Sequence, residues 1–208
     1  MIYKASHHRV IYPFLQLYSL WKIKINFHKV FITGGFQEKG LPVLLISNHI
    51  SWWDGFWVVY LNIKLFHRKF FFMMLEEQLR KNIFLNKAGG YSVRKGSRSI
   101  IETLDYTAEM LSDKKNLVLM FPQGKIESMH NQRIRFERGI EHVLRKAEGK
   151  PQVLFLVNLI DYFSNQKPGL FMNIMEYTGS DFSTENLQNE FNGFYASCVS
   201  SNLGKSEY

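Results

Sequence analysis

The sequence predicts one α/β domain in which a mostly parallel or mixed central sheet is flanked by helices. Short apolar runs of strand length recur along the chain, and segments with helical spacing separate them. The chain of 208 residues has the length of one domain with a substantial core. Its hydrophobic content of 46% is normal for a globular protein and too high for a disordered one.

Residues 1–28 form an aromatic segment that is bracketed by basic residues. Its apolar side chains follow helical spacing at Ile11, Phe14, Tyr18, Trp21 and Ile25. Such a helix suits a membrane interface and suits packing on the domain's own core equally well. It is too short and too charged to span a bilayer. We expect an amphipathic segment over residues 1–28 and the main domain over residues 29–208.

The main domain begins with alternating strands and helices. Residues 29–33 predict a strand, and the apolar run at 43–46 predicts a buried strand after the turn at Gly40. The apolar stretch at 55–61 is too long and too aromatic for a turn and predicts a helix. Six consecutive apolar residues at 70–75 predict another buried strand.

The rest of the chain continues this alternation to its end. Helices are predicted at residues 76–87, 99–112, 138–147 and 184–202, and strands or extended segments at 91–94, 117–121, 153–159 and 170–175. In such folds, functional residues collect at the carboxyl ends of the strands. His49, Arg94 and the pair Gly124-Lys125 each follow a predicted strand, so we expect them at one edge of one sheet.

The charge and the cysteine content limit the classes of partner. A net charge of +8 favours a partner of opposite sign, such as nucleic acid, anionic lipid or a phosphorylated substrate. The basic residues are scattered and form no nucleic-acid-binding signature, so we expect no nucleic acid. Cys198 is the single cysteine, which excludes an internal disulfide and a thiolate metal site and favours a reducing compartment.

His49 and Asp54 stand where a predicted strand gives way to a predicted helix. Residues five apart on a regular helix do not meet, so the two side chains touch only if His49 lies in the turn. Asp54 would then hold one imidazole nitrogen and leave the other free as a base. The spacing fits equally well a helix-capping Asp54 beside a half-buried His49, and by itself it does not separate the two.

Several ordered blocks of the chain resemble the glycerolipid acyltransferase family, which contains the 1-acylglycerol-3-phosphate acyltransferases. The family block Asn-His-x-Ser-x-x-Asp matches residues 48–54 in full. A glycine-to-arginine block resembles residues 90–94, and Phe-Pro-Glu-Gly followed by a small hydroxyl residue resembles residues 121–125. A basic, glycine-containing link resembles residues 135–139, and a hydrophobic strand resembles residues 153–159. The resemblance therefore covers roughly residues 29–160.

The chain departs from the family pattern at three points. Gln123 stands in place of glutamate, Lys125 in place of the small hydroxyl residue, and the strand at 153–159 lacks its closing proline. The resemblance implies that Arg94, Gln123, Gly124 and Lys125 hold the acceptor's phosphate. The two replacements make the block more positive, which fits either an anionic head group held more strongly or an acceptor other than lysophosphatidate.

The resemblance implies an O-acyltransferase of membrane lipid synthesis. His49 would be the base and Asp54 would orient it, while a fatty acyl group passes from an acyl-CoA or acyl carrier protein thioester to a hydroxyl of a lysolipid acceptor. It implies no cofactor and no metal beyond these co-substrates, and a place on the cytoplasmic face of the membrane, peripheral on its anionic surface. Two alternatives stay open: an acceptor such as an amino-acid lipid or a pigment, and an inactive membrane-binding relative.

Overall fold

The computed structural model describes residues 2–94, 96 and 98–205 as one layered α/β domain. In the described residues, the strands are β1 (Lys29–Gly34), β2 (Val43–Ser47), β3 (Lys69–Leu75), β4 (Gly90–Val93), β5 (Asn116–Met120), β6 (Gln152–Asp161) and β7 (Gly169–Glu176). The α-helices are α1 (Ile11–Asn26), α2 (Asp54–Leu61), α3 (Glu76–Lys81), α4 (Ser99–Met110), α5 (Ile140–Lys146) and α6 (Thr184–Leu203). The predicted fold class is confirmed, and most element boundaries agree within a few residues.

The strands form one mixed sheet in the order β1-β7-β6-β2-β5-β3-β4. The five strands from β6 to β4 in this order run parallel. β7 is antiparallel to β6 and pairs in parallel with β1 at the sheet edge. The carboxyl ends of β2, β5, β3 and β4 therefore meet at one edge, as the sequence predicted.

Helices cover both faces of the sheet because its central strands are apolar on both sides. Along β2, Leu44 and Ile46 face a core that includes α4, α5 and α6, while Val43 and Leu45 face a core that includes α1 and α2. Successive side chains of a strand point to opposite faces, so one short apolar run contributes to two cores. The fully buried β2 is thus the central strand of the molecule.

The structure differs from the sequence prediction after β3. The predicted helix at 76–87 ends at Lys81, and a separate 3-10 turn follows at Ile83–Leu85. Asn82 interrupts the helix: its side-chain amide donates to the Gln78 carbonyl, and its backbone leaves the helical region at φ −128° and ψ 51°. Asparagine competes with the helical backbone for hydrogen bonds in this way.

Helix α1 packs on the domain with one face only. Leu15, Ser19 and Ile23 are buried, whereas Phe14 and Trp21 are more than half exposed. Both sequence interpretations of the N-terminal segment therefore have a side of the helix that fits them. In the described part of the chain, no helix combines the length and the apolar character needed to cross a bilayer.

Candidate active site

The turn between β2 and α2 carries His49, and Asn48 fixes this turn to the neighbouring strand β6. The Asn48 side chain donates to the Asn158 carbonyl at 2.9 Å and accepts from the Asn158 amide at 2.8 Å. Both asparagines are fully buried. This paired bond ties the turn to the neighbouring strand β6, so the backbone that presents His49 has little freedom.

His49 and Asp54 are in contact. Nδ1 of His49 lies 2.8 Å from Oδ2 of Asp54, and the same oxygen accepts the backbone amides of Ile50 at 2.7 Å and Ser51 at 3.0 Å. One carboxylate oxygen therefore holds both the imidazole and the turn that carries it. Of the two arrangements compatible with the spacing, the structure has the one in which His49 lies in the turn and touches Asp54.

Burial and hydrogen bonding have opposite effects on the pKa of Asp54. Its side chain is fully buried, and this burial raises the pKa of the carboxyl group, while the hydrogen bond from His49 lowers it. A carboxylate at this position accepts the Nδ1 proton, which leaves the lone pair on Nε2 of His49. In the described residues, Nε2 contacts no hydrogen-bonding partner. The imidazole therefore presents a free basic nitrogen.

The loop after β5 packs directly against His49. The ring of Phe121 stacks on the imidazole with centroids 4.0 Å apart and planes within 10°. Oε1 of Gln123 accepts the His49 backbone amide at 2.5 Å, and the Glu127 backbone amide donates to the His49 carbonyl at 2.9 Å. The loop thus supports the ring from one side and the backbone on both sides.

The four predicted binding residues occupy different surroundings. Gly124 has φ +62°, which favours glycine, and it lines a cavity together with Lys125 and His49. Gln123 is buried and contacts protein groups on both ends of its amide. The structure therefore brings Gly124 and Lys125 to the cavity wall and places Gln123 behind it.

Arg94 lies at the same edge of the sheet but farther from His49. Three strand spacings, about 14 Å, separate β2 from β4, which Arg94 follows. Its guanidinium pairs with Glu76 at 2.6 Å, and the cavity wall does not include it. Arg138 lines the cavity with His49 instead. The basic link at 135–139 was the sequence signal for Arg138, but it gave no reason to select that arginine over its neighbours.

A cavity of about 560 Å³ lies over the carboxyl edge of the sheet and has His49 in its wall. Its lining is mainly apolar and comes from both faces of the sheet. Leu15, Phe56 and Phe70 line it on the side of α1 and α2, and Leu104, Met120 and Ile140 on the side of α4 and α5. Pockets of this size and character bind small apolar or amphipathic ligands.

A metal site is not found in the described residues, where no group of three His, Cys, Asp or Glu side chains is placed to hold an ion. The chemistry that the arrangement offers is that of a carboxylate-oriented imidazole in the wall of an apolar cavity. Such a pair removes a proton from a hydroxyl group held within hydrogen-bonding reach.

Comparison with known proteins finds similarity at the level of the family and of the fold. The family model described as Acyltransferase matches residues 29–158. No curated protein sequence matches the chain. Among solved structures, the chain is similar to the 1-acyl-sn-glycerophosphate (LPA) acyltransferase PlsC from Thermotoga maritima, with a TM-score of 0.61 and 17% sequence identity. That match covers 93% of this chain and 80% of the other.

Proposed function

The chain belongs to the acyltransferase family, and we propose that it transfers a fatty acyl group from a thioester to the hydroxyl of a lysophospholipid-like acceptor. The observation that carries the proposal is the contact between His49 and Asp54 in the wall of an apolar cavity. An alcohol is a poor nucleophile at neutral pH until a base takes its proton. His49 has the free nitrogen, and the cavity has room for the hydrocarbon chain.

The proposed reaction is direct attack of the acceptor oxygen on the thioester carbonyl carbon. Nε2 of His49 accepts the hydroxyl proton as the new C–O bond forms, and Asp54 stabilises the resulting imidazolium. When the tetrahedral intermediate collapses, the C–S bond breaks and the imidazolium returns the proton to the thiolate. The products are an ester and a free thiol, and the step uses no other co-reactant.

The apolar lining of the cavity supports an acceptor that carries its own hydrocarbon chain. Its apolar lining continues on both faces of the sheet, with His49 in the same wall. We infer that one part holds the acyl chain of the donor and the other the chain of a monoacylated acceptor. Each methylene group removed from water contributes about 0.8 kcal/mol, so a second chain would strengthen acceptor binding considerably.

Cations at the cavity wall support an anionic acceptor head group. Arg138 lines the cavity and offers the planar fork that suits phosphate. Lys125 lines the cavity as well, but its ammonium group is paired with the Glu127 carboxylate at 3.1 Å. Arg94 is the third candidate for binding the head group, and this role stays a prediction. Its guanidinium already binds Glu76, so we expect it to contribute less than Arg138. The basic net charge of +8 also suits both candidate donors, acyl-CoA and acyl carrier protein, which are anionic.

An aromatic face beside the cavity supports a peripheral place on an anionic membrane, which we propose to be the cytoplasmic face. This face consists of four exposed aromatic side chains, Phe14, Trp21, Trp52 and Trp53, and of the exposed aliphatic Leu17. Trp52 also lines the cavity, and Nζ of Lys22 lies 4.9 Å from the Trp53 ring centroid. Aromatic rings next to a lysine suit the boundary between head groups and acyl chains. A lipid acceptor would then enter the cavity without crossing water.

An acyl-transfer assay with purified protein tests the proposal. One acyl-CoA and one acyl carrier protein thioester with the same chain are each offered lysophosphatidate, other lysophospholipids, glycerol 3-phosphate and a lyso-amino-acid lipid. The proposal predicts ester formation with at least one monoacylated acceptor and a lower rate with glycerol 3-phosphate. Lipid binding without turnover for any pair would instead support the inactive membrane-binding relative.

A further inference from the structure

The loop after β5 holds the backbone of His49 through a closed set of hydrogen bonds. Gln123 accepts the His49 amide through Oε1, and its Nε2 donates to Oε2 of Glu127 at 2.8 Å. The Glu127 backbone amide completes the set by donating to the His49 carbonyl. Both polar backbone groups of His49 are therefore held by residues 123 and 127.

The Glu127 carboxylate contacts three other side chains of the loop after β5. Besides Gln123, it binds Nζ of Lys125 at 3.1 Å and Nδ2 of Asn131 at 3.3 Å. Its side chain is only 15% exposed, so these contacts replace most of its hydration. The hydrogen bond from Gln123 and the neighbouring Lys125 keep the pKa of Glu127 below its ordinary value, so the group is ionised at neutral pH.

An ionised residue 127 requires a hydrogen-bond donor at residue 123. Gln123 accepts from the His49 amide at one end and donates to Glu127 at the other, whereas an ionised carboxylate at 123 would have no proton to donate. A glutamate at 123 would place two carboxylates at hydrogen-bonding distance, where they repel unless one is protonated. The amide at 123 and the carboxylate at 127 therefore form a matched pair.

We propose that Glu127 is a positioning residue for His49, which it holds through the side-chain amide of Gln123 and through its own backbone amide. This inference rests on the proposed function, because it concerns the base of that reaction. It also predicts that the altered block keeps His49 in the position that the proposed reaction needs. The charge of Lys125 is balanced by Glu127, so the loop from 123 to 127 is neutral despite the added lysine.

A charge exchange between the two positions tests the proposal. Gln123→Glu alone brings two carboxylates together and should lower kcat by about tenfold or more, within the range seen for coupled neighbours. Glu127→Gln alone should cost less, since the new amide still offers an oxygen to Gln123. In the double variant the amide and the carboxylate have changed places, and kcat should return to within about threefold of wild type. KM for the acceptor should change little in Gln123→Glu, where Lys125 keeps its partner Glu127.

A readout that is independent of turnover follows the His49 ring itself. The NMR resonance of the His49 imidazole is assigned by its absence from the spectrum of His49→Gln. Across a pH titration, its chemical shift in Gln123→Glu should differ from that in wild type, and in the double variant it should return to the wild-type value. Glu190→Gln makes the same chemical change at an exposed position of α6 and serves as the matched control. Circular dichroism establishes that each variant is folded.

The outcomes separate this inference from the proposed function. Independent effects of the two substitutions, with no recovery in the double variant, would overturn the positioning role of Glu127. An unchanged His49 signal in Gln123→Glu would do the same. Wild-type protein that transfers no acyl group would overturn the proposed function, and the NMR titration would still decide whether Glu127 positions His49.

Discussion

At the scale of the residue, the Asp54 side chain both orients the catalytic candidate His49 and holds the turn that carries it. A single carboxylate oxygen binds the imidazole and two backbone amides of the turn. Its other oxygen is buried and has no hydrogen-bond partner in the described part of the chain. An unpaired buried oxygen lowers the free energy of unfolding. Asp54 therefore binds His49 and the turn at some cost to the stability of the fold.

Replacement of Asp54 by asparagine should separate activity from stability. The pKa of Asp54 is raised above its ordinary value, so the native state binds this proton more tightly than the unfolded state. Stability from this group is therefore complete at acid pH and is lost as pH rises through the raised pKa. At neutral pH, Asp54→Asn removes a costly charge but adds an unpaired amide, so the free energy of unfolding should change by less than about 1 kcal/mol.

Activity should respond much more strongly to the same substitution. An asparagine does not hold the imidazole in the tautomer that has its lone pair on Nε2, and we expect kcat to fall by about 10²–10⁴-fold, as for orienting carboxylates elsewhere. Steady-state kinetics and thermal unfolding of the same preparation provide both values. A variant with near wild-type kcat would show that Asp54 serves only the turn.

The two arginines near the site should contribute differently to acceptor binding, because Arg94 already has an acidic partner. Arg138→Ala should raise the acceptor KM by about tenfold or more, because a charge-assisted bond to phosphate contributes about 1.5–3 kcal/mol. Arg94→Ala should have a smaller effect, because Glu76 already binds its guanidinium. Arg133→Ala, an exposed arginine outside the cavity wall, is the control. Equal effects of Arg94→Ala and Arg133→Ala would remove Arg94 from acceptor binding.

At the scale of elements, α1 has two unlike faces. One face packs against the domain, and the opposite one exposes Phe14, Leu17 and Trp21. The double variant Phe14→Ala/Trp21→Ala should leave the fold intact, because both side chains are exposed. Its affinity for vesicles of anionic lipid should fall by at least about tenfold, since inserting one such side chain contributes about 1.5–3 kcal/mol.

Sedimentation with vesicles measures this loss. Leu203→Ala removes an apolar side chain that is 81% exposed near the end of α6 and is the matched control. Equal binding of the double variant and the control would contradict a role for α1 at the membrane.

The sequence was a good guide to the strands because buried parallel strands are continuous apolar runs. Phe70 to Leu75 and Leu117 to Met120 fall within β3 and β5 for this reason. It was a poor guide where side chains redirect the backbone. The π-helical turn Asn62–Phe66 ends at His67 with φ 54°, and Asn62 bonds both backbone groups of Arg68. No local pattern contains such contacts.

At the scale of the whole molecule, the strand order assembles the site. Because β2 and β5 are neighbours, His49 and the loop from Phe121 to Glu127 meet at one edge. The spacing of His49 and Asp54 allowed their contact and a helix cap equally well, and the geometry of the turn decides for the contact. The position of Glu127 depends on the path of the loop after β5, and the difference between Arg138 and Arg94 depends on the order of the strands, so neither could be predicted from the residues.

The most direct test of the account is the rate of acyl transfer by His49→Ala. With the best donor and acceptor pair, kcat/KM should fall by about 10³-fold, the scale of general base catalysis, while thermal unfolding and vesicle binding stay near wild type. That result would assign the proton transfer to the imidazole at the edge of the sheet. A folded His49→Ala protein that still transfers the acyl group at a wild-type rate would contradict the account.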